Sequence, residues 1–277
     1  RRMRRLAAAT ALGGLALVLA PAVGAAPSSP TVHFAVKGDW GTGSAAQAAV
    51  TRRMCGEARR RPLAFVLTTG DNFNRPDGVA TRANFWGPER CLRAMRVRWR
   101  AAWGNHDVRG PSTATVLGAP RRYYAFSAGP ARFIVLDANA PTDAAQLTFL
   151  RRQLARSRER VRIVALHQPV YTSGVHPASP DQQRLWAPLF RSGRVNLVLQ
   201  GHNHMYERIA RDGVTYITTS GGGDRLFPCL RPTPGLRACA LAFHFLLVTA
   251  GPRAIDVRAV TPRGRTLDRV TIPVPRR

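Results

Sequence analysis

Residues 32–36 alternate apolar and polar in the two-residue period of a β-strand. Residues 44–60 carry the wider spacing of an amphipathic helix, with Ser44 placed as its N-cap. Short apolar runs at 63–67, 98–103, 132–136, 161–166 and 195–199 read as further strands, with helical patterns at 143–155 and 181–190. Strands alternating with helices imply right-handed crossovers and parallel pairing. From residue 214 the character changes. Runs at 214–219, 243–249, 254–260 and 267–272 read as strands joined by Gly and Pro turns, as in an antiparallel sheet. The pattern predicts an α/β protein: a four-layer αββα sandwich of two mixed β-sheets flanked by helices, formed as one domain over 32–277.

The first 26 residues fit no layer of that sandwich. Arg4 and Arg5 precede an apolar run over 6–20, and small residues follow at Val23, Ala25 and Ala26. That order is the pattern of a secretory signal peptide, followed by a spacer over 27–31. Met3 is a candidate start, and the residues around the arginine pair match a twin-arginine signal poorly. The apolar run is short for a membrane span, so no stable membrane insertion is expected once the signal is removed. The mature chain is expected to be secreted, periplasmic or otherwise extracytoplasmic.

An oxidising compartment makes the four cysteines candidates for disulfides. Three pairings are open, and proximity in sequence favours Cys55–Cys91 and Cys229–Cys239, each closing a short surface excursion. No close CxxC pair points to structural zinc. Lys and Arg total 42 against 15 Asp and Glu, a net charge of +27, and Lys37 is the single lysine. The arginines are scattered rather than gathered with aromatics on one face, so nucleic acid is not the favoured partner. Such a field still draws small phosphorylated substrates towards the protein.

Five segments place acid, amide or imidazole groups directly after strand-like runs. They are Gly38-Asp39-Trp40-Gly41, Gly70-Asp71-Asn72-Phe73, Gly104-Asn105-His106-Asp107, His167, and Gly201-His202-Asn203-His204. The carboxyl ends of strands in α/β sheets are where ligand crevices form. Carboxylate oxygen with neutral imidazole nitrogen suits zinc, iron or manganese. Two such ions sharing one carboxylate, about 3.5–4 Å apart, stabilise both oxygens of an in-line displacement. Any one segment is readable as a turn or a structural histidine; five in this order point to a metal site.

The ordered set resembles the calcineurin-like metallophosphoesterase superfamily, and within it the small purple acid phosphatases. Their blocks run GDxG, GDxxY, GNH[DE], a strand-end His, then GHxH, a likeness covering about residues 32–208. The resemblance implies two metal ions, of iron, zinc or manganese. Asp39 and His204 would bind the first, Asp71 would bridge, and Asn105, His167 and His202 would bind the second. His106 would face the phosphate and Asp107 would orient His106. His176, nine residues past His167, would be a second substrate-facing histidine. One position departs from the pattern. The metal-binding tyrosine is replaced by Asn74, leaving a weaker amide oxygen, or water, where a tyrosinate would favour ferric iron. Gly41 likewise stands where other branches carry a histidine ligand.

The expected activity is that of an acid-phosphatase-like, metal-dependent phosphomonoesterase, monomeric, acting through a hydroxide generated at the metals. Two rivals remain: phosphodiester or nucleic-acid cleavage at the same centre, and a catalytically weak phosphatase-like binding protein. No GxSxG elbow supports a serine hydrolase.

Overall fold

The computed structural model describes residues 31–75 and 77–275, so the signal-peptide reading of residues 1–26 lies outside the described residues. Among the described residues thirteen strands run β1 Val32–Lys37, β2 Phe65–Thr68, β3 Arg98–Ala101, β4 Tyr124–Ala128, β5 Ala131–Val135, β6 Val161–Ala165, β7 Leu197–Gln200, β8 Tyr206–Arg211, β9 Val214–Thr219, β10 Leu236–Ala240, β11 Phe245–Ala250, β12 Ala254–Val260 and β13 Thr266–Pro273. Between them lie α1 Ala45–Arg60, α2 Arg90–Ala94, α3 Ser112–Thr115, α4 Ala144–Arg156, α5 Pro180–Leu185 and α6 Ala187–Ser192.

The strands form two mixed sheets, one ordered β13-β12-β11-β1-β2-β3 and the other β10-β8-β9-β7-β6-β5-β4. β1, β2 and β3 are parallel, as are β5, β6, β7 and β9. The inner faces meet in a core that includes Phe34, Phe65, Leu67, Phe133, Ile163, Leu199, Ile217 and Leu246. Phe65 and Phe133 pack edge to face with centroids 5.3 Å apart.

The outer faces are covered by helices. On α1, Val50, Met54 and Ala58 recur every fourth residue and pack against the first sheet. The Ser44 hydroxyl accepts the Gln47 N–H and so caps the helix. On α4, Leu147, Leu150 and Leu154 do the same for the second sheet, behind an Asp143 cap. This is the predicted four-layer αββα arrangement.

Three details differ from the sequence reading. The run at 214–219 is not part of the C-terminal antiparallel sheet; as β9 it lies in the second sheet, parallel to β7 and antiparallel to β8. The helix expected over 181–190 breaks at Trp186, because Pro188 opens the first turn of α6 and has no N–H to continue α5. The favoured disulfides are both present, but Cys55–Cys91 does not close a surface excursion. Cys55 is buried in α1 and fastens it to α2.

Candidate metal centre

All five blocks fall where parallel strands end. Asp39 follows β1, Asp71 follows β2, Asn105 and His106 follow β3, His167 follows β6, and His202 and His204 follow β7. The first three strands belong to one sheet and the last two to the other, so the blocks converge where the two sheets meet. The backbone is bent hard there. Asp39, Asp71 and His202 have φ of 56°, 46° and 73°, a left-handed conformation that costs free energy and gathers at ligand sites. Gly70, at φ 92°, lets its loop pass the His167 ring, since a Cβ there would stand 2.6 Å from Nδ1.

His167 is fully buried, and its Nδ1 lies 2.8 Å from the Thr69 carbonyl oxygen. A carbonyl only accepts, so Nδ1 carries the hydrogen and Nε2 is turned towards the cluster. Around Nε2 stand Asn105 Oδ1 at 3.1 Å, Asp71 Oδ2 at 3.3 Å and His202 Nδ1 at 3.3 Å. Asp71, His167 and His202 offer donor atoms within 4.8 Å of one another. Lone pairs facing one another at these distances repel unless a proton or a metal ion sits among them.

The ionisation pattern expresses the same demand. Burial disfavours a charged His167, yet the Asp71 carboxylate more than offsets it and raises the imidazole to about 10. His202 is pushed down to about 3, first by burial and then by the charge on His167. Burial also opposes ionisation of Asp71, but His167 wins and lowers that carboxyl to about 2.

Asp39 and His204 repeat the arrangement alongside. His204 Nδ1 donates to the Arg225 carbonyl at 2.7 Å, which leaves Nε2 facing Asp39 Oδ1 at 3.2 Å. Asp39 Oδ1 is buried and has no hydrogen-bond partner among the described residues. Asp39 Oδ2 accepts the His202 N–H at 3.2 Å, joining the two clusters. An orphaned buried carboxylate oxygen against an imidazole lone pair fits a cation. Among the described ion pairs, none joins Asp39 or Asp71 to Arg or Lys, on a chain of net charge +27.

His106 stands at the open side, its side chain 30% exposed and its Nε2 3.9 Å from Asp71 Oδ2. Asp107 does not orient it. The Asp107 oxygens accept the Asn72 N–H at 3.0 Å, the Thr113 hydroxyl at 2.9 Å, the Gly104 N–H at 2.7 Å and the Asn72 amide at 2.8 Å. The turn at Asp107–Arg109 aims the carboxylate beneath the loop, while the His106 ring lies 3.4 Å from the Arg75 carbonyl. Asp107 therefore ties the Asp71 loop to the Asn105 loop. Burial, then the charge of Asp71, pushes its carboxyl up to about 6.

His176 reaches the rim, its ring centroid 4.5 Å from that of His202 and 5.5 Å from that of Phe227. It is held by Asn203, which accepts the His176 N–H and donates to the His176 carbonyl. Asn74 is half-buried, and its amide donates to Asp224. Sequence reasoning passed over Asn72, Asn203 and Asp224. The first two lie inside quoted blocks; the third follows β9 and three glycines, repeating the strand-glycine-acid signature of Asp39 and Asp71.

The fold and these convergent donors define a metal-dependent phosphoesterase scaffold. Residues 32–206 match the calcineurin-like phosphoesterase family, and the chain belongs to it. Purple acid phosphatase 7 of Arabidopsis thaliana is 25% identical over 72% of each chain. Tartrate-resistant acid phosphatase type 5 of Rattus norvegicus is 25% identical over 94% of this chain and 96% of its own. In fold the chain is similar to GAP50, the anchor in the inner membrane complex of Plasmodium, with TM-score 0.75 and 18% identity over 89% of this chain and 90% of that one.

Proposed function

We propose that the protein is an exported phosphomonoesterase working with two metal ions. Asp39 and His204 would hold one ion, Asn105, His167 and His202 the other, and Asp71 would bridge them. One observation carries this reading: acceptors face acceptors at 3.1–3.3 Å in two adjoining clusters, with no arginine or lysine ion pair among the described residues to balance the acids. Bound cations would supply Lewis-acid charge and lower the pKa of water from about 15.7 to about 7.

The chain's own residues do the rest. The Thr69 and Arg225 carbonyls fix the tautomers of His167 and His204, so each Nε2 presents its lone pair. Asp107 and Asn72 hold the Asp71 and His106 loops in register. His106, on the open side, is placed to hydrogen-bond a phosphate oxygen and to give a proton to the departing alcohol oxygen. His176 and Phe227 would line the entrance for the leaving group. Export is supported by the N-terminal pattern and by two disulfides with no free cysteine among the described residues.

The test is elemental analysis of protein purified without added metal, followed by turnover of p-nitrophenyl phosphate and bis(p-nitrophenyl) phosphate. Two ions per chain with faster monoester turnover is the expected result. Metal without turnover would leave a binding protein. Faster diester turnover would favour phosphodiester cleavage, the reading to which the net charge of +27 lends weight.

A further inference from the structure

The Asp39–His204 position is short of ligands. Gly41 cannot be replaced by a residue that reaches it, because a Cβ there would lie 2.1 Å from the Asn72 carbonyl oxygen. One more carboxylate does come close. The Asp224 N–H donates to the Asp39 carbonyl at 3.2 Å, and its Oδ2 is 3.9 Å from His204 Nδ1. Oδ2 also accepts the Asn74 amide, while Oδ1 accepts the Arg225 N–H at 2.7 Å. No described ion pair joins Asp224 to an arginine. The Asn74 N–H donates to the Trp40 carbonyl at 2.9 Å, which holds this residue against the Asp39 loop. With the amide nitrogen given to Asp224, nothing among the described residues donates to Asn74 Oδ1.

We infer that Asp224 is a positioning residue of the Asp39–His204 cation site: it turns and polarises the Asn74 amide so that Asn74 Oδ1 faces the cation. Asn74 and Asp224 act as one unit, an amide ligand backed by a carboxylate, in a place otherwise served by Asp39, His204 and the shared Asp71. A carboxylate accepting from the amide N–H makes the amide oxygen more negative, and its own charge adds to the field at the cation. Both favour a divalent ion at that position.

This inference rests on the two-cation reading, and the experiment separates them. Metal-free protein is titrated with Zn²⁺ against a chelator of known affinity, in wild type, Asp224→Asn, Asn74→Ala and the double variant. Wild type is expected to bind two ions. Each single variant should keep one site unchanged and weaken the other at least ten-fold. The double variant should lose no more than the worse single, because the residues act together. Asp224 is 27% exposed in a loop, and thermal unfolding checks that each variant folds; should Asp224→Asn fail, Asn74→Ala against wild type carries the comparison. Two undisturbed sites in the variants overturn the role of Asp224 while leaving the two-cation reading intact, and additive losses overturn the coupling. Wild type that binds no Zn²⁺ overturns the two-cation reading itself.

Discussion

Lys37 is the single lysine of the chain and is fully buried. Its ammonium is 2.8 Å from Glu89 Oε1, which is equally buried, and 3.7 Å from the centre of the Trp40 ring. Glu89 Oε1 also accepts Thr51 at 2.9 Å and Gln47 at 3.1 Å. Replacing Glu89 by Gln keeps the shape and removes the charge. Breaking a buried pair by removing one partner costs about 3–5 kcal/mol. A ceiling follows from letting Lys37 neutralise. At about 1.36 kcal/mol per unit below a solution value near 10.4, a neutral lysine at pH 7 costs about 4.6 kcal/mol, and at pH 9 about 1.9 kcal/mol.

The sign of the pH dependence is set by burial, which already lowers the Lys37 pKa in the native protein against the opposing pull of Glu89. In the variant the unfolded chain binds a proton that the folded chain does not, so stability rises with pH. Urea unfolding of Glu89→Gln and wild type at pH 7 and pH 9, followed by fluorescence of the adjacent Trp40 and Trp99, measures both. A loss below about 1 kcal/mol at pH 7, or one that does not shrink at pH 9, refutes the reasoning.

Three other changes have definite expected outcomes. His106→Ala should lower turnover roughly 10²-fold or more with metal content unchanged, read by steady-state kinetics alongside elemental analysis. Asp71→Asn should lose metal occupancy rather than rate alone, because the Asp71 carboxylate faces both His167 and His106; equilibrium dialysis decides it. Asp268→Asn should cost about 1–2 kcal/mol in chemical unfolding, since Asp268 on β13 accepts Tyr206 and Arg208 of β8 and so clamps one sheet to the other. Burial opposes ionisation of Asp268, but Arg208 holds its carboxyl below the ordinary value. Its contribution is therefore complete above about pH 4 and disappears as the pH falls further.

Among the strands that carry candidate ligands, β2 and β7 were legible because they are buried on both faces and read as apolar runs, whereas the partly exposed β3 was marked by its place before the Gly104 block. β4 and β10 were not. They are the two edges of the second sheet, partly exposed along their length, and so lack a decisive pattern. β8 was hidden for another reason. Its Glu207 is charged in sequence yet fully buried, satisfied by the Ser173 N–H and the Thr218 hydroxyl. At the candidate centre, ligand types could be read from strand-end blocks, since glycine and a donor after an apolar run is a local signal. The partners of those donors could not. Asp107 bonds to Asn72 across 35 residues and Asp224 to Asn74 across 150, and sequence spacing carries no trace of such contacts.

The charge of the molecule divides between two tasks. Several acids are neutralised where they stand: Glu57 by Arg53, Arg60 and Arg258, Asp137 by Arg122, and Asp268 by Arg208. Among the described ion pairs, Asp39, Asp71 and Asp224 meet only histidines. A guanidinium among them would satisfy their charge permanently, because arginine does not give up its proton, and would shut out any exchangeable cation. Arg225 shows how the two populations are kept apart. Its carbonyl accepts from His204 inside the cluster, while its guanidinium lies 5.1 Å from the Phe227 ring centre at the rim. Cation-attracting acids thus sit within an anion-attracting surface. Because exposed charges are screened over about 8 Å at physiological salt, the pull of that surface on a phosphate fades with added salt, whereas the buried acids keep theirs.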